Sequence, residues 1–289
     1  MPNVQTLTTP QGRQLAYHQT AGMGAGVIFL GGYRSDMGGT KAIALEAWAK
    51  AQGRAFLRFD YGGHGQSSGD FNVLGIGDWL NDARAALALT EGPQVLVGSS
   101  MGGWLALLLA RACPERIAGL IGIAAAPDFT EDSLLPSLTA AERVDMARVG
   151  RIERPSGYSD GPYIFTQRLI DQGRDHLVLR VPLALPFPTR FLQGTADTDV
   201  PVAVAQRLFD HASGPDIRLT LVKGADHRFS TPDCLALIES SLDEILAYTD
   251  FGRRRGLTTV SVAKSECLSI NPKTSGRMFN RQLLPAKMP

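Results

Sequence analysis

Short runs of almost continuous apolar residues punctuate the chain: "GVIFL" (26–30), "AFLRF" (55–59), "QVLVG" (94–98), "AGLIGIA" (118–124), "TRFLQ" (189–193) and "IRLTLV" (217–222). Runs of this length without polar alternation predict strands covered on both faces. Between them lie "TKAIALEAWAKAQG", "GIGDWLNDARAALALTEG", "MGGWLALLLARAC", "PVAVAQRLFDHASG" and "DCLALIESSLDEILAYT". These have helical spacing, and several end in glycine, a common C-terminal stop. Strand alternating with helix predicts a mostly parallel, doubly wound sheet with helices on both faces.

One segment, about 128–186, breaks the alternation and contains no convincing strand. Leu134, Leu138, Ala141 and Val144 fit one helical face, and "YIFTQRLIDQGRDHLVL" (163–179) predicts a second helix. "VPLALPFP" then reads as an extended return. A helical piece inserted there covers one end of the sheet. Leu134, Leu135, Leu138, Phe165, Leu169, Ile170, Leu183, Leu185 and Phe187 are expected to offer an apolar roof over that end.

The 289 residues suffice for one large domain with a filled core. The net charge of +1 gives no reason to expect nucleic acid or a membrane surface as partner. It hides an asymmetry. Residues 251–289 carry eight Lys or Arg against one acid, Glu266, and show no periodicity. They read as a basic, appended tail, disordered or non-native, behind a domain spanning 1–250. Cys113, Cys234 and Cys267 are odd in number and unpaired in spacing, which argues against a disulfide framework and a zinc site. Cys113 and Cys234 read as small core residues. No apolar run reaches the ~18 residues of a membrane span, and the N-terminus lacks a secretory apolar region. A reducing, cytoplasmic setting is expected.

Candidate chemistry begins with Gly98-Ser99-Ser100-Met101-Gly102, a G-x-S-x-G between a strand and a helix. A strand that reverses sharply into a helix crowds its tip, so small residues are needed two before and two after. Ser100 stands at the tip, and Ser99 is the permissive position. A serine nucleophile needs a base and an orienting acid, here expected in the order Ser, acid, His. Asp197 lies in "FLQGTADTDVP", just past a strand, with Asp199 and Asp128 as rivals. Asp199, two before Pro201, also suits a helix cap. Among five histidines, His227 alone follows Ser100 in a loop after a strand, "LVKGADHRFS". The Tyr33 and Met101 N–H groups are the candidate oxyanion donors, Tyr33 from the glycine-rich loop "LGGYRSDMGG".

Together these residues resemble the α/β-hydrolase superfamily over about residues 10–248. "LRFDYGGHGQSSG" is similar to its D-x-x-G-x-G-x-S loop and "QGTADTDVP" to its acid loop. "GGYRSDMGGTKA", "GSSMGGWLALL" and "QRLIDQGRDHLVL" resemble the subgroup of palmitoyl-protein thioesterases and acyl-glucuronide esterases. The resemblance implies an α/β-hydrolase fold with a small helical cap inserted after the sixth strand. It implies a Ser100–His227–Asp197 triad that cleaves acyl thioesters or esters of small molecules or acylated proteins, without metal or organic cofactor. The alternatives are a small-ester carboxylesterase or lipase, an aminopeptidase anchoring an amino terminus on acids such as Glu131, Asp132 and Glu142, or a non-catalytic ligand receptor.

Overall fold

In a computed structural model describing residues 4–157 and 161–254, two strands open the chain, β1 (Gln5–Thr8) and β2 (Gln14–Thr20). Strand and helix then alternate through β3 (Val27–Leu30), α1 (Thr40–Ala51), β4 (Phe56–Phe59), α2 (Ile76–Ala88), β5 (Gln94–Ser99), α3 (Met101–Ala112) and β6 (Ile117–Ile123). An insertion follows this sixth strand. It holds α4 (Leu135–Ser137), α5 (Ala140–Val149), β7 (Arg151–Arg154), β8 (Tyr163–Thr166) and α6 (Gln167–Asp175). The chain returns through β9 (Leu183–Ala184) to β10 (Thr189–Gly194), α7 (Val202–His211), β11 (Ala212–Ser213), β12 (Ile217–Val222) and α8 (Pro232–Arg254).

Eight strands form the main sheet in the order β1-β2-β4-β3-β5-β6-β10-β12. β2 pairs antiparallel with β1 and with β4, and the pairs from β4 to β12 are parallel. Side chains of β5 alternate between two cores. Leu96 joins Trp79, Trp104 and the faces of α2 and α3, while Val95 and Val97 join Trp48, Ile238 and Leu242 under α1 and α8. Burial on both faces is why this strand reads as a continuous apolar run.

The structure departs from the sequence reading at several places. β1 and β2 have no long apolar run: β1 is exposed at the antiparallel edge, and β2 buries Leu15 and Ala16 and is otherwise partly exposed. The insertion is not purely helical. β7 and β8 form an antiparallel hairpin in which Ile152 alone of the Arg151–Arg154 strand is buried. The expected helix from 163 starts at Gln167, where the Thr166 hydroxyl accepts the Leu169 N–H at 3.1 Å. Val144 is 62% exposed, and the buried residue of α5 is Met146. Cys113 and Cys234 are both buried, as core residues, and Cys267 lies outside the described residues. α8 runs through Arg254, four residues into the expected tail, and residues 255–289 lie outside the described residues. Among the described residues, no helix is long and apolar enough to cross a membrane.

Asp128 ties the insertion to the sheet. It is fully buried, and its carboxylate accepts the Val178 and Leu179 N–H groups at 2.8 and 3.0 Å and the Arg180 guanidinium at 2.8 Å. Asp128→Ala leaves two buried donors unmatched, so unfolding in urea should show a loss of about 2–5 kcal/mol. A loss under about 1 kcal/mol would mean the insertion is anchored elsewhere.

Candidate active site

The turn from β5 into α3 is the tightest feature of the fold. Ser100 sits at its tip with φ +54° and ψ −118°, a conformation side-chain-bearing residues rarely adopt. A Cβ on Gly98 would fall 2.3 Å from the Gly102 carbonyl oxygen, and one on Gly102 would fall 2.1 Å from that of Leu30. Both glycines are therefore steric requirements. The carbonyl of Ser100 accepts the Gly103 and Ala126 N–H groups at 2.9 and 3.1 Å, and its own N–H donates to Ile123 at 2.9 Å. Ser99 is buried, while the Ser100 side chain stands half-exposed at the C-terminal end of the sheet.

Loops after β10 and β12 reach the same point. His227 Nε2 lies 3.1 Å from Ser100 Oγ, and its Nδ1 lies 2.9 Å from Asp197 Oδ2. A carboxylate facing Nδ1 requires the proton there, which leaves the Nε2 lone pair toward the hydroxyl. Asp197 is 8% exposed. Its Oδ1 accepts the Asp199 and Val200 N–H groups at 2.9 and 2.8 Å, and its Oδ2 also accepts Gln193 Nε2 at 3.0 Å. Burial pushes this carboxyl up. The bonds from His227, the Val200 N–H and Gln193 outweigh burial and hold it below the usual carboxylate range. Of the rival acids, Asp199 contributes its N–H to Asp197, and Asp128 is spent on the insertion. Gln193, buried at the end of β10, was not singled out by sequence. Its only signal is a polar residue inside an apolar strand.

Tyr33 belongs to a turn after β3 that packs on the elbow. A Cβ on Gly32 would lie 3.5 Å from Ser100 Cβ. Met101 opens α3, where an N–H has no intrahelical acceptor. A cavity of about 350 Å³ lies over Ser100, bounded by the Gly31–Asp36 loop, the start of α1, Tyr163 and His227. Arg34, Lys41 and Arg228 line it. Burial, and then the Arg228 charge, pull the Lys41 ammonium down to about 8. Of the nine apolar residues expected to roof this end of the sheet, none lines this cavity. Leu134, Leu138 and Ile170 make a small core of the insertion with Met146 and Ile152, with Leu135 and Phe165 packed against it. Leu169, Leu183, Leu185 and Phe187 belong to the main core. Helical spacing marks an apolar face without saying which surface covers it. Among the described residues, Asp197, Asp199 and His227 are the group whose donor atoms could converge on a cation, lying within 4.8 Å of one another.

This fold, with these loops at the C-terminal edge of its sheet, is that of the α/β-hydrolases, and the chain belongs to that family as a serine hydrolase of ester or thioester bonds. Within it, rat palmitoyl-protein thioesterase ABHD10, a mitochondrial protein by name, is 36% identical over 242 residues, covering 83% of this chain and 81% of the relative. A putative hydrolase from Agrobacterium vitis S4 superimposes with a TM-score of 0.82 at 38% identity, over 84% of this chain and 98% of that one. Mouse alpha/beta hydrolase domain-containing protein 10 does so at 0.79 and 34%, over 85% and 99%. A family model described as serine aminopeptidase, S33 matches residues 23–155.

The elbow's steric demand is directly testable. Gly98→Ala should cost roughly 1–3 kcal/mol through overpacking and abolish ester hydrolysis. A variant of wild-type thermal midpoint and activity would show that β5 and α3 are not as close as described.

Proposed function

We propose that Ser100 is the nucleophile, His227 the base and Asp197 the orienting acid of a two-step acyl transfer that hydrolyses acyl thioesters or esters. The observation that carries this reading is the unbroken chain from Ser100 Oγ through His227 to Asp197, at 3.1 and 2.9 Å, in the tautomer the reaction needs. His227 takes the hydroxyl proton as Oγ attacks the carbonyl carbon. Asp197 stabilises the resulting imidazolium, and the proton passes to the leaving thiol or alcohol. Water repeats the sequence on the acyl-enzyme. The Tyr33 and Met101 N–H groups hold the oxyanion. Every charge and proton is handled by these groups, so the reading uses no cofactor.

The names of the ABHD10 relatives favour a palmitoyl-type thioester or a related activated ester as substrate, on a small molecule or an acylated protein. The aminopeptidase alternative fits less well. Glu131 is paired with Arg174, Asp132 with Arg180 and Arg207, and Glu142 with Arg154. Those three acids are thus neutralised, and the cavity over Ser100 carries three cations, Arg34, Lys41 and Arg228, against one carboxylate, Asp36. For the acyl chain we favour a second cavity of about 230 Å³, lined in part by Ala126, Phe129, Leu179, Val200, Ala203 and Val204. Ala126 touches the elbow through its bond to the Ser100 carbonyl. The cytoplasmic setting expected from sequence stands beside relatives named as mitochondrial, and fractionation of the tagged chain decides between them.

Ser100→Ala should lower kcat on the order of a million-fold, and Ser99→Ala should leave most activity. Octanoyl thioesters should be cleaved at least as well as octanoyl esters and far better than amides. Labelling of Ser99 by a fluorophosphonate, or preference for amides, would sink the reading. Ala203→Trp should cut kcat/KM for octanoyl substrates by about tenfold or more while leaving acetyl substrates within about twofold, since each buried methylene is worth ~0.8 kcal/mol. Equal losses for both chain lengths would move the acyl chain out of the second cavity.

A further inference from the structure

His64 is buried, 3% exposed, and stands outside the path from Ser100 to Asp197. Its ring nitrogens face opposite partners. Nδ1 lies 3.3 Å from the Gly62 carbonyl oxygen, and Nε2 accepts the Arg34 backbone N–H at 3.2 Å. The proton therefore resides on Nδ1, and Nε2 is the acceptor. Tyr61, Phe71 and Trp79 enclose the ring edge-on at centroid distances of 5.0–5.5 Å. Burial, opposed by the Gly62 carbonyl and reinforced by the Arg34 charge, lowers its pKa to about 4, so the ring is neutral near pH 7.

The N–H it holds is at a strained place. Ser35 N–H closes a four-residue turn onto Gly32 at 3.1 Å, and Arg34, at the third position, has φ +56°. That is the type II arrangement, which favours glycine there. An L residue in this region costs about 1–2 kcal/mol. The type I turn joins the same two ends without positive φ and differs by a flip of the central peptide. Here that peptide joins Tyr33 to Arg34, and its N–H is the one His64 accepts. The side chains of the turn are held separately, Tyr33 Oη to the Ile164 carbonyl at 2.5 Å and Arg34 Nη1 to that of Pro162 at 2.6 Å. Neither bond fixes the peptide plane.

We infer that His64 is a positioning residue, anchoring the turn through the Arg34 N–H and so holding in place the loop that carries the Tyr33 N–H proposed to meet the acyl oxygen. Without that acceptor the strained Tyr33–Arg34 peptide is free to swing, and the loop loses its fixed seat beside Ser100. The inference rests on the proposed oxyanion role of Tyr33.

The test compares His64→Phe, which fills the space without an acceptor, with His64→Gln, whose Oε1 can take the place of Nε2. His64→Phe should lower kcat by about 10–100-fold, within the range for loss of one oxyanion donor, with KM within about twofold. Affinity for a trifluoromethyl ketone should fall in parallel, because its tetrahedral oxygen uses the same donor. His64→Gln should return kcat to within about fivefold of wild type. If His64→Phe does not fold, His64→Asn replaces it, since Asn keeps the Gly62 contact and loses the reach to Arg34. Wild-type kcat in the Phe or Asn variant, a loss confined to KM, or Gln no better than Phe or Asn would overturn the inference. Ser100→Ala, assayed alongside, separates the failures: activity surviving there refutes the site itself, whereas an inactive Ser100→Ala with a fully active His64→Phe refutes only the role of His64.

Discussion

The close approach of backbone to backbone at the elbow is the constraint on which the rest of the site depends. α3 starts so near the ends of β3 and β5 that a Cβ on Gly102 or Gly98 would meet a carbonyl oxygen at little more than 2 Å. That crowding forces Ser100 into positive φ and lifts its side chain above the sheet. The strain is local and the restraint is not. Hydrogen bonds to Ile123 and from Gly103 and Ala126 tie Ser100 to three different segments, so the tip cannot relax without loosening β6 and α3 together.

The same end of the sheet collects the other strained residues. Arg34 follows β3, Ala124 and Asp128 follow β6, and Phe229 follows β12, all with positive φ. Parallel strands deliver their C-terminal loops to one edge, and at a switch in strand direction those loops enclose a crevice. Here they bring one hydroxyl, one imidazole and one carboxylate into line. Asp197 shows how the charge is kept there. Its burial disfavours the ion, and four donors restore it: two backbone N–H groups, Gln193 and His227. An acid so fully satisfied keeps its charge while it faces the imidazole.

The parallel core and the order Ser100, Asp197, His227 were legible in the chain because each rests on a strong local signal. A doubly buried strand is a continuous apolar run, and a sharp strand-to-helix turn demands small residues at fixed spacing. What could not be read depends on partners distant in sequence. "QLAYHQT" lies between the short edge strand β1 and β4, with only Leu15 and Ala16 buried, so its pattern is mixed. "RIER" is a strand only because "YIFT" lies beside it. Asp128 and Asp197 look alike as acids after a strand. They differ in what faces them, the Val178 and Leu179 N–H groups in one case and an imidazole in the other. The apolar residues of the insertion carried the weakest information, since an apolar face is compatible with packing and with a ligand site alike.

That last ambiguity changes how the insertion should be understood. Its apolar residues are consumed in its own core and in its seat on the domain. What it presents to the turn after β3 is aromatic and polar. The Tyr33 ring stacks on Phe165 at 5.4 Å, meets Phe71, Phe129 and Tyr163 at 4.9–6.3 Å, and gives its hydroxyl to Ile164. The β7–β8 hairpin is thus joined to the turn that packs on the elbow. The insertion therefore braces the turn beside Ser100, while Tyr163, Arg34, Lys41 and Arg228 line the cavity over it.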